Sequence, residues 1–276
     1  MTERTQISLM DAYLDYFDLT ERKGWRLTDL PWDTPDLEAV SKQDRAAVVA
    51  TSVIESGVPH YTKLWDLVEG FSRDWELAQF VTLWAGEEER HNVALHRLAQ
   101  VLGASPTEEY RRVAEFDFPN AQKAECPTRC YSTIPGMLTY TVLQELVTWK
   151  FYSCSAKATK SRLVRETFRR IGEDEMRHHV WYRDALRARW ARAEDRAWFN
   201  QKILEAVAHF RMPHGIFGLQ TKFFDEESDV IGTLGLLDIK MKVARAFSFD
   251  PGLVARMAAA RKEDPALVAR TALQAT

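Results

Sequence analysis

Along most of the chain apolar residues recur three and four positions apart, the spacing of an amphipathic helix, and few stretches alternate with the period of two that a half-buried strand requires. This period predicts long helices over about 42–69, 73–102, 134–158, 161–192 and 195–211, with weaker helical patterns at 6–22, 225–247 and 251–272. Turn-forming residues fall between them. Gly103-Ala104-Ser105-Pro106-Thr107 stops the second long helix, Pro119-Asn120 and Cys126-Pro127 break a connecting segment, Met212-Pro213-His214-Gly215 ends the fifth, and Asp250-Pro251-Gly252 precedes the last. No Gly/Ser linker or low-complexity tract divides the chain. The expected organisation is one all-α domain over 1–276: an N-terminal segment 1–41, a core four-helix bundle over about 42–192, and C-terminal helices over about 195–276.

Composition supports a helical globule and narrows its partners. Glycine and proline are sparse, at 12 and 10 of 276 residues, and a hydrophobic share of 46% is enough for a sizeable core. No apolar run approaches the roughly 18 residues of a bilayer span, which excludes a membrane protein. With 37 Lys and Arg against 40 Asp and Glu, the net charge of −3 excludes a general nucleic-acid binder, which needs unpaired cations to displace counterions. Cys126, Cys130 and Cys154 form neither a disulfide scaffold nor a zinc motif, so reduced thiols and a cytoplasmic setting are expected. The opening MTERTQ has no apolar stretch behind a basic patch, and no signal peptide is expected.

Carboxylates interrupt the apolar stripes. In the second helix Leu77, Val81, Trp84, Glu88, His91 and Leu95 share one face; in the fourth the face reads Phe168, Ile171, Glu175, His178 and Tyr182. The local sequences match, because Glu87-Glu88-Glu89-Arg90-His91 and Asp174-Glu175-Met176-Arg177-His178 are both acid-Glu-x-Arg-His. Each preceding helix carries one more Glu on an apolar or small-residue face: Glu55 near Val48, Thr51 and Val58, and Glu145 near Leu138, Thr141, Thr148 and Tyr152. Four buried, unpartnered carboxylates would cost several kcal/mol each, so they must be neutralised, paired or bound to cations. A dinuclear centre does this at once, taking a Glu-x-x-His from each of two helices and a Glu from each of two others. Carboxylate and imidazole without thiolate suit iron or manganese. Surface salt bridges would not sit on the apolar stripe. Glu87, Glu89 and Glu173 are expected as solvated charges, and Asp174 as a carboxylate able to orient a ligand's imidazole from outside.

These residues resemble the soluble acyl-acyl-carrier-protein desaturases of the stearoyl-carrier-protein type and their actinobacterial relatives, within the ferritin-like di-iron superfamily. Trp25-Arg26-Leu27-Thr28-Asp29-Leu30-Pro31 looks like the family's Trp-x-Pro-x-Asp-Phe-Leu-Pro stretch, with Leu27 replacing its first proline and one position fewer before the last. Glu55-Ser56-Gly57-Val58-Pro59-His60-Tyr61 is similar to its first ligand segment, and Trp84-Ala85-Gly86-Glu87-Glu88-Glu89-Arg90-His91 to its Trp-Thr-Ala-Glu-Glu-Asn-Arg-His motif. Gln144-Glu145 with Thr148, the Asp174 to His178 segment and Met212-Pro213-His214 resemble later signatures, so the likeness covers about 20–215. Other di-iron families fit less well: Leu95 stands where ribonucleotide reductase subunits place a radical tyrosine, and Ile171 where arylamine N-oxygenases add a histidine. Hydrocarbon monooxygenases place their threonine four residues after the third Glu, whereas Thr148 follows Glu145 by three, and the Trp25 stretch fits a ferritin poorly.

The resemblance implies Glu55, Glu88, His91, Glu145, Glu175 and His178 as ligands of two iron ions, with O2 as co-substrate and electrons from a ferredoxin-type donor. It implies Thr148 as a hydroxyl beside the oxygen site, Trp25 and Asp174 on an electron route, an acyl carrier protein as substrate carrier, and a homodimer. It also implies an acyl tail running past Met137, Leu67 and Val68; long-chain members often have glycine at the first of these, so Met137 predicts a shorter or differently bent cavity. The expected activity is desaturation of a carrier-bound acyl chain; the alternative is a related oxygenase that hydroxylates or N-oxidises a metabolite. Arg162, Arg165, Arg169 and Arg170 open the most basic stretch, either a solvated helix face or a docking surface for an acidic carrier or ferredoxin. Trp65, Trp75, Trp149, Trp181, Trp190 and Trp198 are expected as core or interface aromatics, and His60 as a packing residue.

Overall fold

A computed structural model describes residues 9–126 and 129–213, so the helices expected over 225–247 and 251–272, and His214, lie outside the described residues. Within them the chain forms helices α1 (Leu9–Lys23), α2 (Lys42–Glu55), α3 (Val58–Asp66), α4 (Trp75–Val101), α5 (Thr107–Glu115), α6 (Phe118–Glu125), α7 (Ile134–Ala158), α8 (Arg162–Arg192) and α9 (Arg196–His209). Among the described residues there is no strand, only an isolated bridge between Glu69 and Thr133. No described helix is long and apolar enough to cross a membrane.

The direction of the four central helices follows from which residues share a core. One apolar cluster contains Val53 of α2, Phe80 and Trp84 of α4, Leu138 and Leu143 of α7, and Tyr182 and Leu186 of α8. A second contains Ala47 and Val48 of α2, Leu95 and Leu98 of α4, Tyr152 and Ala156 of α7, and Phe168 and Ile171 of α8. Read in chain order, α4 and α7 run from the first cluster to the second, whereas α2 and α8 run from the second to the first. Two consecutive long helices, α4 and α7, are therefore parallel. A crossover spanning the length of the bundle must join them, and 102–133 supplies it with α5 and α6, neither of which was expected as a helix. A four-helix bundle with one long crossover is the ferritin-like arrangement, here flanked by α1, α3, α5, α6 and α9.

The helix expected over 42–69 breaks at Ser56-Gly57 into α2 and α3. Tyr61 folds back and its hydroxyl donates to the carbonyl of Ile54 at 2.8 Å, one of the acceptors freed by the break. Gly57 makes room for it, since a Cβ there would lie 2.7 Å from the Tyr61 oxygen. Pro59, near the start of α3, is tolerated because first-turn N–H groups have no helical acceptor.

The start of α8 is held by the N-terminal segment. Asp36 accepts hydrogen bonds from the Ser161 hydroxyl (2.8 Å) and from the backbone N–H groups of Arg162 (2.5 Å) and Leu163 (3.3 Å), while Ser161 itself caps Val164. Desolvation pushes the Asp36 carboxyl up, but the bonds from Arg162, Ser161 and Leu163 outweigh it and hold the group below the usual carboxylate range. Asp36→Ala should lower unfolding stability by about 1 kcal/mol, the typical worth of a cap. A lowered folded pKa means that this contribution is complete above the unfolded value near ~3.9 and fades as pH falls through the folded one. Denaturation midpoints should therefore differ at neutral pH and converge in acid; a constant difference would show that the carboxylate is not the capping group.

Candidate metal centre

Between the two apolar clusters lies a polar layer to which all four central helices contribute. Glu55 is the last residue of α2, Glu88 and His91 sit mid-way along α4, Glu145 on α7, and Glu175 and His178 on α8. All six are buried, none more than 3% exposed. They fall into two quartets, Glu55, Glu88, His91, Glu175 and Glu88, Glu145, Glu175, His178; within each, one donor atom per residue lies within 4.8 Å of the others. Glu88 and Glu175 belong to both.

The donor atoms fit cations better than they fit one another. Glu88 Oε1, His91 Nδ1, Glu145 Oε1, Glu175 Oε1 and His178 Nδ1 are buried without a hydrogen-bond partner among the described residues. Such atoms lose the full energy of desolvation unless something completes them. Both imidazoles aim Nδ1 inward: His178 Nδ1 is 3.1 Å from Glu88 and 3.4 Å from Glu145, and His91 Nδ1 is 3.6 Å from Glu175. Four carboxylates with two neutral imidazoles would balance two divalent ions in charge, and the donor set is the hard, oxygen-rich one that iron or manganese accepts.

The electrostatics of the donor set agree with that charge balance. Burial, then the charge of Glu88, pushes Glu55 and Glu175 well above the ordinary carboxylate range. Glu145 moves the other way: burial would raise it, but the His178 imidazole beside it carries it down. His178 is held well above its usual value, against the desolvation that would lower it, by Tyr16, Glu145, Glu175 and Glu87. Cation binding at these carboxylates and imidazoles must therefore compete with protons.

The surroundings bring together some of the residues singled out in the sequence and correct the placement of others. Trp25 and Asp174, far apart in the chain, meet at the site: Trp25 Nε1 donates to Asp174 Oδ2 at 2.8 Å, and the same oxygen is 3.0 Å from His91 Nε2. Glu87 is not a solvated charge but 1% exposed, accepting from the Tyr16 hydroxyl at 2.6 Å and lying 3.2 Å from His178 Nε2. Glu89 and Glu173 are exposed as expected. Tyr152 donates to Glu55 Oε1 at 2.6 Å, a contact the stripe only hinted at by placing Tyr152 two turns beyond Glu145. Thr148 turns its hydroxyl onto its own helix, donating to the carbonyls of Gln144 and Glu145 at 3.0 and 3.1 Å. His60 packs as expected, 2.6 Å from the carbonyl of Val113.

Further from the centre, Met137 and Val68 are buried in the first apolar cluster. Leu67 is not: it is 44% exposed, because counting turns from Glu55 assumed an unbroken helix whereas Leu67 follows the end of α3 in a new register. Among the α8 arginines, Arg169 is already paired with Glu166 (2.9 Å) and Glu173 (2.6 Å), and Arg165 donates to the carbonyls of Thr159 and Lys160. Arg162 is exposed and Arg170 half-buried. Trp65 and Trp181 are core residues, while Trp75 and Trp198 are exposed. Cys126 and Cys130 are joined in a disulfide rather than reduced, their Cα atoms standing 6.1 Å apart; Cys154 is free.

Residues 32–243 match the fatty acid desaturase family model. In Mycobacterium tuberculosis, strains CDC 1551 and H37Rv, a protein named "Putative acyl-[acyl-carrier-protein] desaturase DesA1" is 26% identical over an alignment of 229 residues that covers 81% of this chain. The match spans 65% of that relative's length. Similar solved structures include a mutant R2-like ligand-binding oxidase with anaerobically reconstituted Mn/Fe cofactor, at 14% identity and TM-score 0.45 over 94% of this chain and 92% of that one. An R2-like ligand-binding oxidase with aerobically reconstituted metal cofactor after photoconversion has 15% identity and TM-score 0.44 over 94% and 92% of the two chains.

Proposed function

The chain belongs to the fatty acid desaturase family, and we propose on that footing that it is an O2-dependent di-iron oxidoreductase that places a double bond in an acyl chain held by an acyl carrier protein. The observation that carries this reading is the pair of buried quartets sharing Glu88 and Glu175. Two iron ions held there by Glu55, Glu88, His91, Glu145, Glu175 and His178 would supply the capacity to couple O2 and two external electrons to removal of hydrogen from an unactivated methylene. The balanced change is one CH2–CH2 unit, O2, two electrons and two protons giving CH=CH and two waters. A ferredoxin-type donor is the proposed electron source, and the hydrogen-bonded chain Trp25, Asp174, His91 is the proposed route.

The chain's own residues exclude water and hold geometry. Phe80, Trp84, Leu138 and Tyr182 close the layer on one side and Leu95, Tyr152, Phe168 and Ile171 on the other. Thr148 is proposed to deliver a proton at its Oγ1, which requires release of its bonds to Gln144 and Glu145. Arg162 and Arg165, with Arg169 and Arg170 behind them, are the proposed docking face for an acidic carrier or ferredoxin, and a homodimer is the proposed assembly.

A second reading has an observation of its own. Trp84 Nε1, Tyr140 Oη and Tyr182 Oη are buried without partners among the described residues, polar tips that a wholly aliphatic substrate would leave unpaired. They favour hydroxylation or N-oxidation of a metabolite carrying hydrogen-bonding groups. Product analysis after incubating reduced, iron-loaded protein with O2 and a panel of carrier-bound acyl chains and of amine- or hydroxyl-bearing metabolites, free and carrier-bound, separates the two: an alkene supports the first reading, an alcohol or N-oxide the second, and iron uptake without product refutes both. In the same assay Met137→Gly should shift preference toward longer chains by several-fold per carbon pair, each added methylene being worth at most about 0.8 kcal/mol, with iron content unchanged. An unaltered chain-length profile would place the end of the substrate site elsewhere.

A further inference from the structure

The outer faces of the two histidines are held by carboxylates exchanged between helices. His91 of α4 meets Asp174, the residue before Glu175 on α8; His178 of α8 meets Glu87, the residue before Glu88 on α4. Each carboxylate is then gripped by one aromatic donor from the N-terminal segment. Trp25 Nε1 bonds Asp174 at 2.8 Å, and the Tyr16 hydroxyl bonds Glu87 at 2.6 Å. Arg177 joins the two arms, hydrogen-bonded to Asp174 and 3.7 Å from Glu87. Tyr16 is 5% exposed and packs edge-on against Phe80. A phenol could equally have been a phenylalanine in that packing, so the hydroxyl is there for Glu87.

We propose that Tyr16 is a positioning residue for the second ion: through Glu87 it fixes the ring orientation and tautomer of His178, with the proton on Nε2 and Nδ1 turned to the metal. Trp25 through Asp174 does the same for His91. The proposal rests on the dinuclear reading of the centre. A histidine ligand whose outer N–H loses its acceptor, or whose acceptor is left to rotate, binds its ion about 10- to 100-fold more weakly. The two arms act on different ions, because His91 belongs only to the quartet with Glu55 and His178 only to the quartet with Glu145.

The test uses the full chain loaded with cobalt(II), whose paramagnetism moves imidazole N–H signals of ligating histidines clear of the rest of the NMR spectrum. The parent protein should take up two ions and show two exchangeable imidazole N–H signals. Tyr16→Phe should lower affinity at one site by about 10- to 100-fold and speed N–H exchange for His178 alone. Glu87→Gln should have the same selectivity, and Asp174→Asn the reverse. Equal disturbance of both signals in Tyr16→Phe, or neither, would overturn the proposal while leaving the dinuclear reading standing. A parent protein that binds no cobalt would overturn both.

Discussion

Glu88→Ala protein, loaded anaerobically with ferrous iron, should hold less than one ion per chain where the parent holds about two. Glu88 is common to both quartets, so its removal leaves three donors in each at once. Glu175→Ala should do the same. Glu55→Ala and Glu145→Ala, each touching one quartet, should keep about one ion. That graded pattern is the discriminating result, because a general loosening of the bundle would lower occupancy in all four alike. Metal binding should also appear as stability, since a ligand present at 100 times its dissociation constant raises unfolding free energy by about 2.7 kcal/mol. The parent's thermal midpoint should therefore rise on loading and that of Glu88→Ala should stay nearly still. Without metal the variant should unfold close to the parent, because the charge of Glu88 already works against Glu55 and Glu175. A full complement of iron in Glu88→Ala would remove it from the ligand set.

The six donors were legible because burial leaves a one-dimensional trace: a carboxylate on an apolar stripe has no cheap explanation other than a partner. The same trace was available for Glu87, since the acid-Glu-x-Arg-His match put it in register with Asp174, yet neighbouring acids at 88 and 89 made it look like part of a solvated run. Its burial depends on Tyr16, which arrives from a helix with only a weak periodic pattern and 71 residues away. The break after Glu55 was visible as Gly57 and Pro59 but not its consequence, because the bond from Tyr61 to Ile54 that resets the register of α3 is a contact rather than a pattern. Helix extents for α7 and α8 were plain from punctuation. A long connection after the second helix was legible too, but the two short helices within it, which carry few stripe positions, were not.

At the end of that crossover Gly136→Ala should be among the most destabilising single-methyl additions in the chain, at about 3 kcal/mol. Gly136 lies in the first turn of α7, and a Cβ built there would stand 1.7 Å from the carbonyl oxygen of Cys130 and 2.5 Å from its carbon. A side-chain tip could rotate away from such an overlap; a backbone carbonyl cannot without moving its neighbours. That carbonyl also accepts from the Thr133 hydroxyl (2.7 Å) and backbone N–H (3.2 Å), and Thr133 in turn caps α7 by accepting from Gly136 N–H. Displacing Cys130 therefore strains the cap as well as the packing. The disulfide to Cys126 restricts how far Cys130 can retreat, so reduction should recover part of the loss. Urea unfolding of both proteins, oxidised and reduced, makes this a double comparison. A loss within about 0.5 kcal/mol of zero in the oxidised protein would show that the 130–133 turn yields freely and does not fix α7. A large loss that reduction relieves would make this turn the anchor that sets where α7, and with it Glu145, stands against α8.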